Sequence, residues 1–177
     1  KNNFLSRIFT SDEFNFKNTE LATLDYNQIE NQDVIVINEL EDLPVALGTT
    51  LKSFYEKGGN IILIPNAKNT TSLLNTFAKN FGGLNYSQLA IAEKQITKIN
   101  FSHPLYQTVF EKKVTNFQYP NTKFSFQIDG ANQAILSFED QSVFVTMIQN
   151  PVSSVTVFSA PVNAQNSNFQ QSPIIVP

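Results

Sequence analysis

The sequence contains no cysteine, and it has a single histidine and a single methionine. Without cysteine the chain has no disulfide, no thiolate metal site and no cysteine nucleophile. The cellular compartment stays open, because a protein in an oxidising compartment does not need disulfides. The lack of cysteine therefore restricts the chemistry of this chain and says nothing about its location.

Charge and long hydrophobic runs are also scarce. Charged residues make up 15% of the chain, the net charge is −3 and the isoelectric point is near 5.1. No broad positive field attracts phosphate backbones, so we predict no nucleic-acid partner. The longest apolar runs, 61–65 and 143–148, are far shorter than the roughly 20 residues that span a bilayer. Any membrane attachment would therefore come from segments outside this sequence.

Apolar and aromatic residues are plentiful, since 41% of the residues are hydrophobic and 16 are Phe. A chain of 177 residues with this composition can bury a substantial core. No linker or internal repeat divides it. We predict one domain over residues 1–177, and the first and last residues are typical of a domain cut from a longer, membrane-anchored protein.

The clearest local pattern runs from Asp33 to Pro65. Two aliphatic runs, the β-branched 34–37 and the run 61–64, are typical of strands buried on both faces. Between them Leu47, Leu51, Phe54 and Tyr55 form the apolar side of a helix that ends at Gly58 and Gly59. This order predicts a strand–helix–strand unit with parallel strands and a right-handed crossover.

Further elements follow from periodicity and from turn residues. We predict helices at 4–9 and from Thr70, Thr71 or Ser72 to Gly82 and Gly83. We predict strands around Phe14 and Phe16, near Ile96 and Ile99, at 124–128, 134–138, 143–148 and 155–158. Turn residues separate the strands at 134–138 and 143–148, which predicts an antiparallel hairpin. We also predict a polar loop at 163–172.

Motifs for catalysis are missing. The chain has no G-x-S-x-G elbow, and Gly58-Gly59 follows a helix, whereas a phosphate-binding turn would open one. His103 has no identifiable nucleophile or orienting partner, and Glu39, Glu41 and Asp42 are typical of solvated loop charges. We therefore predict no catalytic residue, no metal and no cofactor.

The position of a ligand pocket, if the chain has one, follows from the predicted parallel strands. In open α/β sheets ligands bind beyond the carboxyl ends of the strands. Residues at these ends are Asn38 and Glu39 after the first strand, and Pro65 and Asn66 after the second. We expect these four residues to form the rim of the pocket.

Several stretches carry a family resemblance: "DVIVINEL" from Asp33, "LKSFYEKGGNIILIPN" from Leu51, "SHPLYQTVF" from Ser102 and "VTVFSAPVNAQNSNFQQSPIIVP" near the end. They resemble the class I glutamine amidotransferase-like, flavodoxin-like domain of Bat aerotolerance-type bacterial membrane proteins. The resemblance implies an α/β fold with a largely parallel sheet, flanking helices and an antiparallel hairpin in the C-terminal half. It also implies a location in the bacterial cell envelope, on the extracytoplasmic face of the inner membrane.

True amidotransferases use a Cys, His and Glu set, and this chain has no cysteine. The expected function is therefore that of a noncatalytic interaction or sensory module, which binds protein partners or neighbouring domains of its own chain. Two alternatives stay open. One is a divergent hydrolase that uses His103 or a carboxylate such as Glu39, and the other is a small-molecule binding domain.

Overall fold

A computed structural model describes residues 4–106, 118–131 and 133–172. In this part of the chain the α-helices are α1 (Leu5–Ile8), α2 (Val45–Glu56) and α3 (Thr71–Ala78). The strands are β1 (Val34–Asn38), β2 (Asn60–Ile64), β3 (Asn85–Ala90), β4 (Lys94–Ile99), β5 (Asn121–Thr122), β6 (Ser125–Asp129), β7 (Ala134–Phe138), β8 (Val143–Gln149) and β9 (Ser154–Phe158). Short 3-10 helices lie at Leu21–Thr23, Tyr26–Asn31, Pro104–Tyr106 and Phe169–Gln171.

Seven of these strands form one mixed sheet in the order β1-β2-β9-β8-β7-β4-β5, which curls into a half-barrel. β1, β2 and β9 run parallel, and every later pairing in the sheet is antiparallel. β3 and β6 form a separate antiparallel ribbon. The sheet is thus parallel on one side and antiparallel on the other.

The predicted fold class, a largely parallel sheet with flanking helices, is wrong. Four of the six strand pairings in the large sheet are antiparallel. Helices α2 and α3 pack with Ile61, Leu63 and Val157 in one core cluster, on one face. The opposite face of the sheet packs in a second cluster, which includes Ile64 and Phe144. Neither α2 nor α3, both described along their whole length, contributes a residue to this cluster. On that face, side chains of the curled sheet pack with one another and with residues of the loop after β9, such as Val162 and Phe169.

The strand–helix–strand prediction is confirmed. β1 and β2 pair in parallel register from Val34 with Asn60 to Asn38 with Ile64. Leu47 and Leu51 of α2 are buried against the sheet, as their helical spacing requires. Gly58 follows the helix with φ of 104°, a left-handed conformation that favours glycine and ends the helix.

Two predictions near the chain start and one at α3 had different outcomes. The opening helix is confirmed as α1, whereas the predicted strand around Phe14 and Phe16 is wrong. The rings of Phe14 and Phe16 instead pack on the ring of Phe9, with centroid distances of 5.1 Å and 5.9 Å. α3 is capped by Thr70, as one of the predicted options, but it ends at Ala78 before Gly82.

In the second half of the chain the predicted strands are present. The hairpin forms as β7 and β8, and the strand at 155–158 is β9, which lies between β2 and β8. The strand around Phe126 pairs with β3 instead of joining the large sheet. Among the described residues, the helices are too short and too polar to cross a bilayer.

Candidate functional site

The carboxyl ends of the parallel strands meet at one edge of the sheet, here called the carboxyl edge, which comprises residues 38–42, 65–69 and 159–163. The first segment begins with the last residue of β1, and the other two follow β2 and β9. Parallel strands necessarily end at the same edge, which is where ligands bind in open α/β sheets. The structure therefore brings Asn38, Glu39, Pro65 and Asn66 to one edge, with Pro65 buried and the other three half-buried. Their role as a pocket rim stays a prediction.

Glu39 holds an uncommon backbone conformation directly after β1. Its φ of 53° lies in the left-handed region, where residues other than glycine are strained. Its N–H donates to the carbonyl of Ile64 at 2.9 Å, and its carbonyl accepts from Nδ2 of Asn66 at 2.7 Å. The main chain of Glu39 is thus fixed by the end of β2.

The carboxylate of Glu39 is directed at the loop after β9. Its Oε1 accepts from the main-chain N–H groups of Val162 at 3.0 Å and Asn163 at 2.9 Å. Its Oε2 accepts from Nδ2 of Asn163 at 2.6 Å. A carboxylate offers about four acceptor positions. Three donors from the same protein therefore occupy most of the acceptor capacity of Glu39.

Asn69 joins the turns that follow β1 and β2. Its Nδ2 donates to the carbonyls of Leu40 and Glu41, each at 3.0 Å, and its Oδ1 accepts from the N–H of Asn66 at 2.7 Å. Its side chain is buried, so each of these polar atoms needs such a partner. Sequence analysis missed this residue, although an Asn in a turn commonly bonds to nearby main-chain groups.

The predicted polar loop at 163–172 is present, and much of it is buried. Nδ2 of Asn166 donates to the carbonyls of Pro161 at 2.9 Å and Phe124 at 3.2 Å, and its Oδ1 accepts from the N–H of Phe124 at 3.1 Å. Oγ of Ser167 donates to the carbonyl of Asn121 at 2.6 Å. Side-chain hydrogen bonds thus join this loop to β5 and to Phe124, the residue that precedes β6.

At the carboxyl edge, hydrogen bonds therefore join the segments at the ends of β1, β2 and β9 to one another. Two hollows among the described residues lie elsewhere. One, of about 610 Å³, is lined by residues 6–16 in the N-terminal segment. The other, of about 270 Å³, lies at the amino ends of β1 and β2 beside Glu30, Asp33 and Lys57. The predicted rim residues line neither hollow.

His103 lies far from Glu39 in the topology. β4 runs antiparallel to β7, so its carboxyl end and the following turn with His103 are at the sheet edge opposite Glu39. Three further strands lie between β2 and β4 in the sheet. Burial of the ring lowers the pKa of His103 and favours its neutral form. Glu39 and His103 therefore do not belong to one catalytic site.

Metal-binding chemistry has no evident centre in the ranges that the structure describes. There the side chains of His, Asp and Glu form no group of three that could hold an ion. At the carboxyl edge the exposed carboxylate of Glu41 instead pairs with the ammonium of Lys68 at 2.6 Å. An ion pair this exposed adds little to stability.

Comparison with known proteins gives a likeness of fold. No protein-family model matches the sequence, and no curated protein matches it. Among solved structures, the chain is similar to the cytoplasmic protein STM3548 from Salmonella typhimurium (TM-score 0.61, 11% identity, 85% of this chain and 70% of that chain). It is also similar to the mmIFT52 N-terminal domain (TM-score 0.61, 10% identity, 93% and 81%). A putative ThuA-like protein from Bacteroides uniformis gives a TM-score of 0.60 at 14% identity (90% and 72%).

The same fold recurs inside larger glycosidases. This chain spans 20–27% of their length. Because all these identities are at or below 14%, the similarity concerns the fold alone. The neighbours also differ in kind, so a function cannot be transferred from any one of them. What these comparisons establish is that the chain adopts a fold found in proteins of several kinds.

Proposed function

We propose that this chain is a noncatalytic interaction module of a bacterial membrane-anchored protein. The observation that carries the proposal lies at the carboxyl edge, where the carboxylate of Glu39 accepts three hydrogen bonds from Val162 and Asn163. A general base or a ligand-binding group needs free acceptor positions directed at a substrate. Here those positions serve the fold, so the chain acts through its surface.

The cellular setting in this proposal rests on the resemblance of the quoted stretches to Bat-type proteins. It places the domain on the extracytoplasmic face of the inner membrane, where it contacts protein partners or neighbouring domains of its own chain. The low net charge of −3 agrees with contacts to proteins and argues against a nucleic acid. No cofactor enters the proposed function.

Binding is tested with the full-length protein in its own cells. A photo-reactive amino acid replaces Val45 or Val152, whose side chains are 79% and 66% exposed on different surfaces. We expect one of these positions, or another exposed one, to give a reproducible adduct with one protein or with a neighbouring domain. Adducts that are absent from every surface position would contradict the proposal.

Catalysis is tested in parallel on the purified chain with glutamine and with chromogenic esters and glycosides. We expect no turnover above the level of a boiled sample. Turnover that Glu39→Gln or His103→Gln abolishes, while the variant stays folded, would overturn the noncatalytic assignment. Turnover that both variants retain and that co-elutes with the purified chain would overturn the assignment as well.

Location is tested by using the absence of cysteine from this sequence. Val45→Cys introduces a single exposed thiol into the domain. In intact cells permeabilised only at the outer membrane, we expect a membrane-impermeant maleimide to label it. Labelling that requires lysis of the inner membrane would contradict the extracytoplasmic placement.

A further inference from the structure

Among the described residues, no strand pairs with the outer edge of β1. In that part of the chain β1 is the first strand of the sheet and pairs only with β2. The other end of the sheet is formed by β5, which has two residues, whereas β1 has five. β1 is therefore the long open edge of the large sheet.

The directions of the main-chain groups of β1 follow from its hydrogen bonds with β2. The carbonyl of Asp33 accepts from the N–H of Asn60 at 3.2 Å, and the N–H of Glu39 donates to the carbonyl of Ile64. Along a strand these directions alternate, so the odd-numbered residues bond to β2. The N–H and carbonyl groups of Val34 and Val36 therefore face outward, where no hydrogen bond from another described residue reaches them.

The side chains of β1 are those of an interior strand, although β1 lies at the edge of the sheet. In β2 the similar aliphatic run is buried, with Ile61 and Leu63 each 1% exposed. In β1, Val34 is 44% exposed, and Ile35 and Val36 are only half-buried. Parallel strands are normally covered on both faces, and natural edge strands carry Lys, Pro or a bulge that discourages pairing. β1 has the sequence of an interior strand and none of these protective features.

Acidic side chains lie at both ends of this edge. Asp33 precedes β1, and Glu41 and Asp42 follow it, all three exposed. Lys68 pairs with Glu41, whereas Asp33 and Asp42 have no ion pair with another residue of the described ranges. A segment that carries Lys or Arg at its ends would complement these charges.

We propose that the outer edge of β1 is a strand-addition site. It binds an extended segment with branched aliphatic residues at its centre and basic residues at its ends, and the segment lies parallel to β1. Parallel addition continues the arrangement of β1, β2 and β9, and it pairs the outward groups of Val34 and Val36. The inference rests on the proposed function and deepens it by stating which kind of partner binds and where.

The direct test uses the intact chain and an acetylated, amidated peptide of sequence KKVTVIVKK. Amide hydrogen exchange is followed by NMR. We expect the peptide to slow the exchange of the Val34 and Val36 amides at least about tenfold, since each gains a hydrogen bond. The amides of Ile35 and Ile37, already bonded to β2, serve as internal controls. Unchanged exchange at Val34 and Val36 with excess peptide would overturn the proposal.

Two modified peptides test whether binding depends on main-chain hydrogen bonds and whether the strands are parallel. A peptide N-methylated at alternate residues cannot donate to the edge, and we expect it not to bind. A peptide with a nitroxide at its amino end should broaden signals around Val34 if the strands are parallel. Equal binding of the N-methylated peptide, or broadening centred on Asn38, would contradict parallel strand addition.

Protein variants give the matched comparison. Val36→Pro removes an outward N–H and leaves the β1–β2 bonds in place, so binding should be lost while the β2 signals persist. Val34→Lys, at an exposed position, provides a second blocked edge if the proline variant fails to fold. Asp33→Asn with Asp42→Asn should weaken binding several-fold at low salt, whereas Asp12→Asn, in the N-terminal segment, should not. Binding that survives Val36→Pro and Val34→Lys, both folded, would overturn the proposal.

The two proposals fail separately. If the peptide leaves β1 unchanged and cross-links form from other surfaces, strand addition is wrong and the interaction module stands. If turnover depends on Glu39 or His103, the noncatalytic assignment is wrong. The exchange data on Val34 and Val36 are then still decisive for the edge of β1.

Discussion

Glu39 and Asn163, which are 124 positions apart, are joined by two hydrogen bonds: Oε1 of Glu39 accepts from the main-chain N–H of Asn163, and Oε2 accepts from its side-chain Nδ2. Glu39 follows β1 and Asn163 follows β9, while β2 lies between these strands in the sheet. The contact therefore reaches across the end of β2. The carboxylate of Glu39, which was expected at the rim of a ligand pocket, is therefore a structural group.

Removal of this carboxylate should destabilise the protein. Glu39→Ala leaves the N–H groups of Val162 and Asn163 without their acceptor, and Val162 is buried. We expect the free energy of unfolding to fall by about 3 kcal/mol, from the cost of unsatisfied donors and of lost charged hydrogen bonds. Urea denaturation measures the change. A loss below about 0.5 kcal/mol would contradict the structural role.

Two further variants dissect the Glu39 effect. Glu39→Gly also loses the carboxylate but relieves the left-handed φ of 53°, so it should be about 1 kcal/mol more stable than Glu39→Ala. Glu41→Ala is the matched control, because its ion pair with Lys68 is exposed and should contribute less than about 1 kcal/mol. A glycine variant less stable than the alanine variant would refute the strain argument.

Asn166 should be the second critical polar residue. Its amide bonds to Phe124 on both main-chain groups and to the carbonyl of Pro161, and the residue is buried. We expect Asn166→Ala to lower the free energy of unfolding by about 2 kcal/mol and to speed proteolysis in the loop after β9. Asn168→Ala, which removes one bond to the N–H of Asn121, is the comparison and should cost less. Equal effects would argue against a special role for Asn166.

Asp140 should stabilise the protein above acidic pH. Partial burial raises its pKa, but hydrogen bonds from Lys94 and Ser142 and the charge of Lys94 outweigh this and lower the pKa to about 2. A depressed pKa gives stability that is complete above the ordinary value of 3.8 and is lost as the pH falls toward 2. The stability difference between the wild type and Asp140→Asn should therefore shrink over this range. A difference that is independent of pH would contradict the Lys94 contact.

His103 should have the opposite pH signature to a histidine engaged with an acid. Burial lowers its pKa, so the unfolded chain binds a proton more readily than the folded one. Stability should then be complete above the ordinary value of 6.5 and should decrease as the pH falls below it. His103→Gln should flatten this part of the profile. NMR titration of the ring with a pKa above 6.5 would refute the prediction.

Local patterns were sufficient for the strand–helix–strand unit from Asp33 to Pro65, though not for the segment around Phe14 and Phe16. The run Val34 to Ile37, the helical stripe and Gly58 each specify their own conformation, and a short connection between two buried strands leaves few topologies. Asn38, Glu39, Pro65 and Asn66 were expected at the carboxyl ends of β1 and β2, and they lie there. This part of the fold depends on contacts between residues that are close in sequence. The spacing of apolar residues along the chain is sufficient to predict such contacts.

The second half shows where that approach fails. The strands at 134–138, 143–148 and 155–158 were located correctly, yet the large sheet was expected to be mostly parallel. A strand's sequence records which faces are buried but not which strand lies beside it, so the position of β9 between β2 and β8 was not predicted. The hydrogen bonds between Glu39 and Asn163 could likewise not be predicted, because they depend on the position of β9 in the sheet.

The sequence by itself determined the places of most strands and of the long helices, the parallel unit around Gly58 and the absence of cysteine chemistry. These depend on residue type and on spacing within a few turns of chain. Only the tertiary structure decided the mixed strand order, the open edge at Val34 and Val36, and the use of Glu39 as a structural acceptor. Those features arise from pairings between distant segments, whose free energies depend on the whole arrangement of the chain.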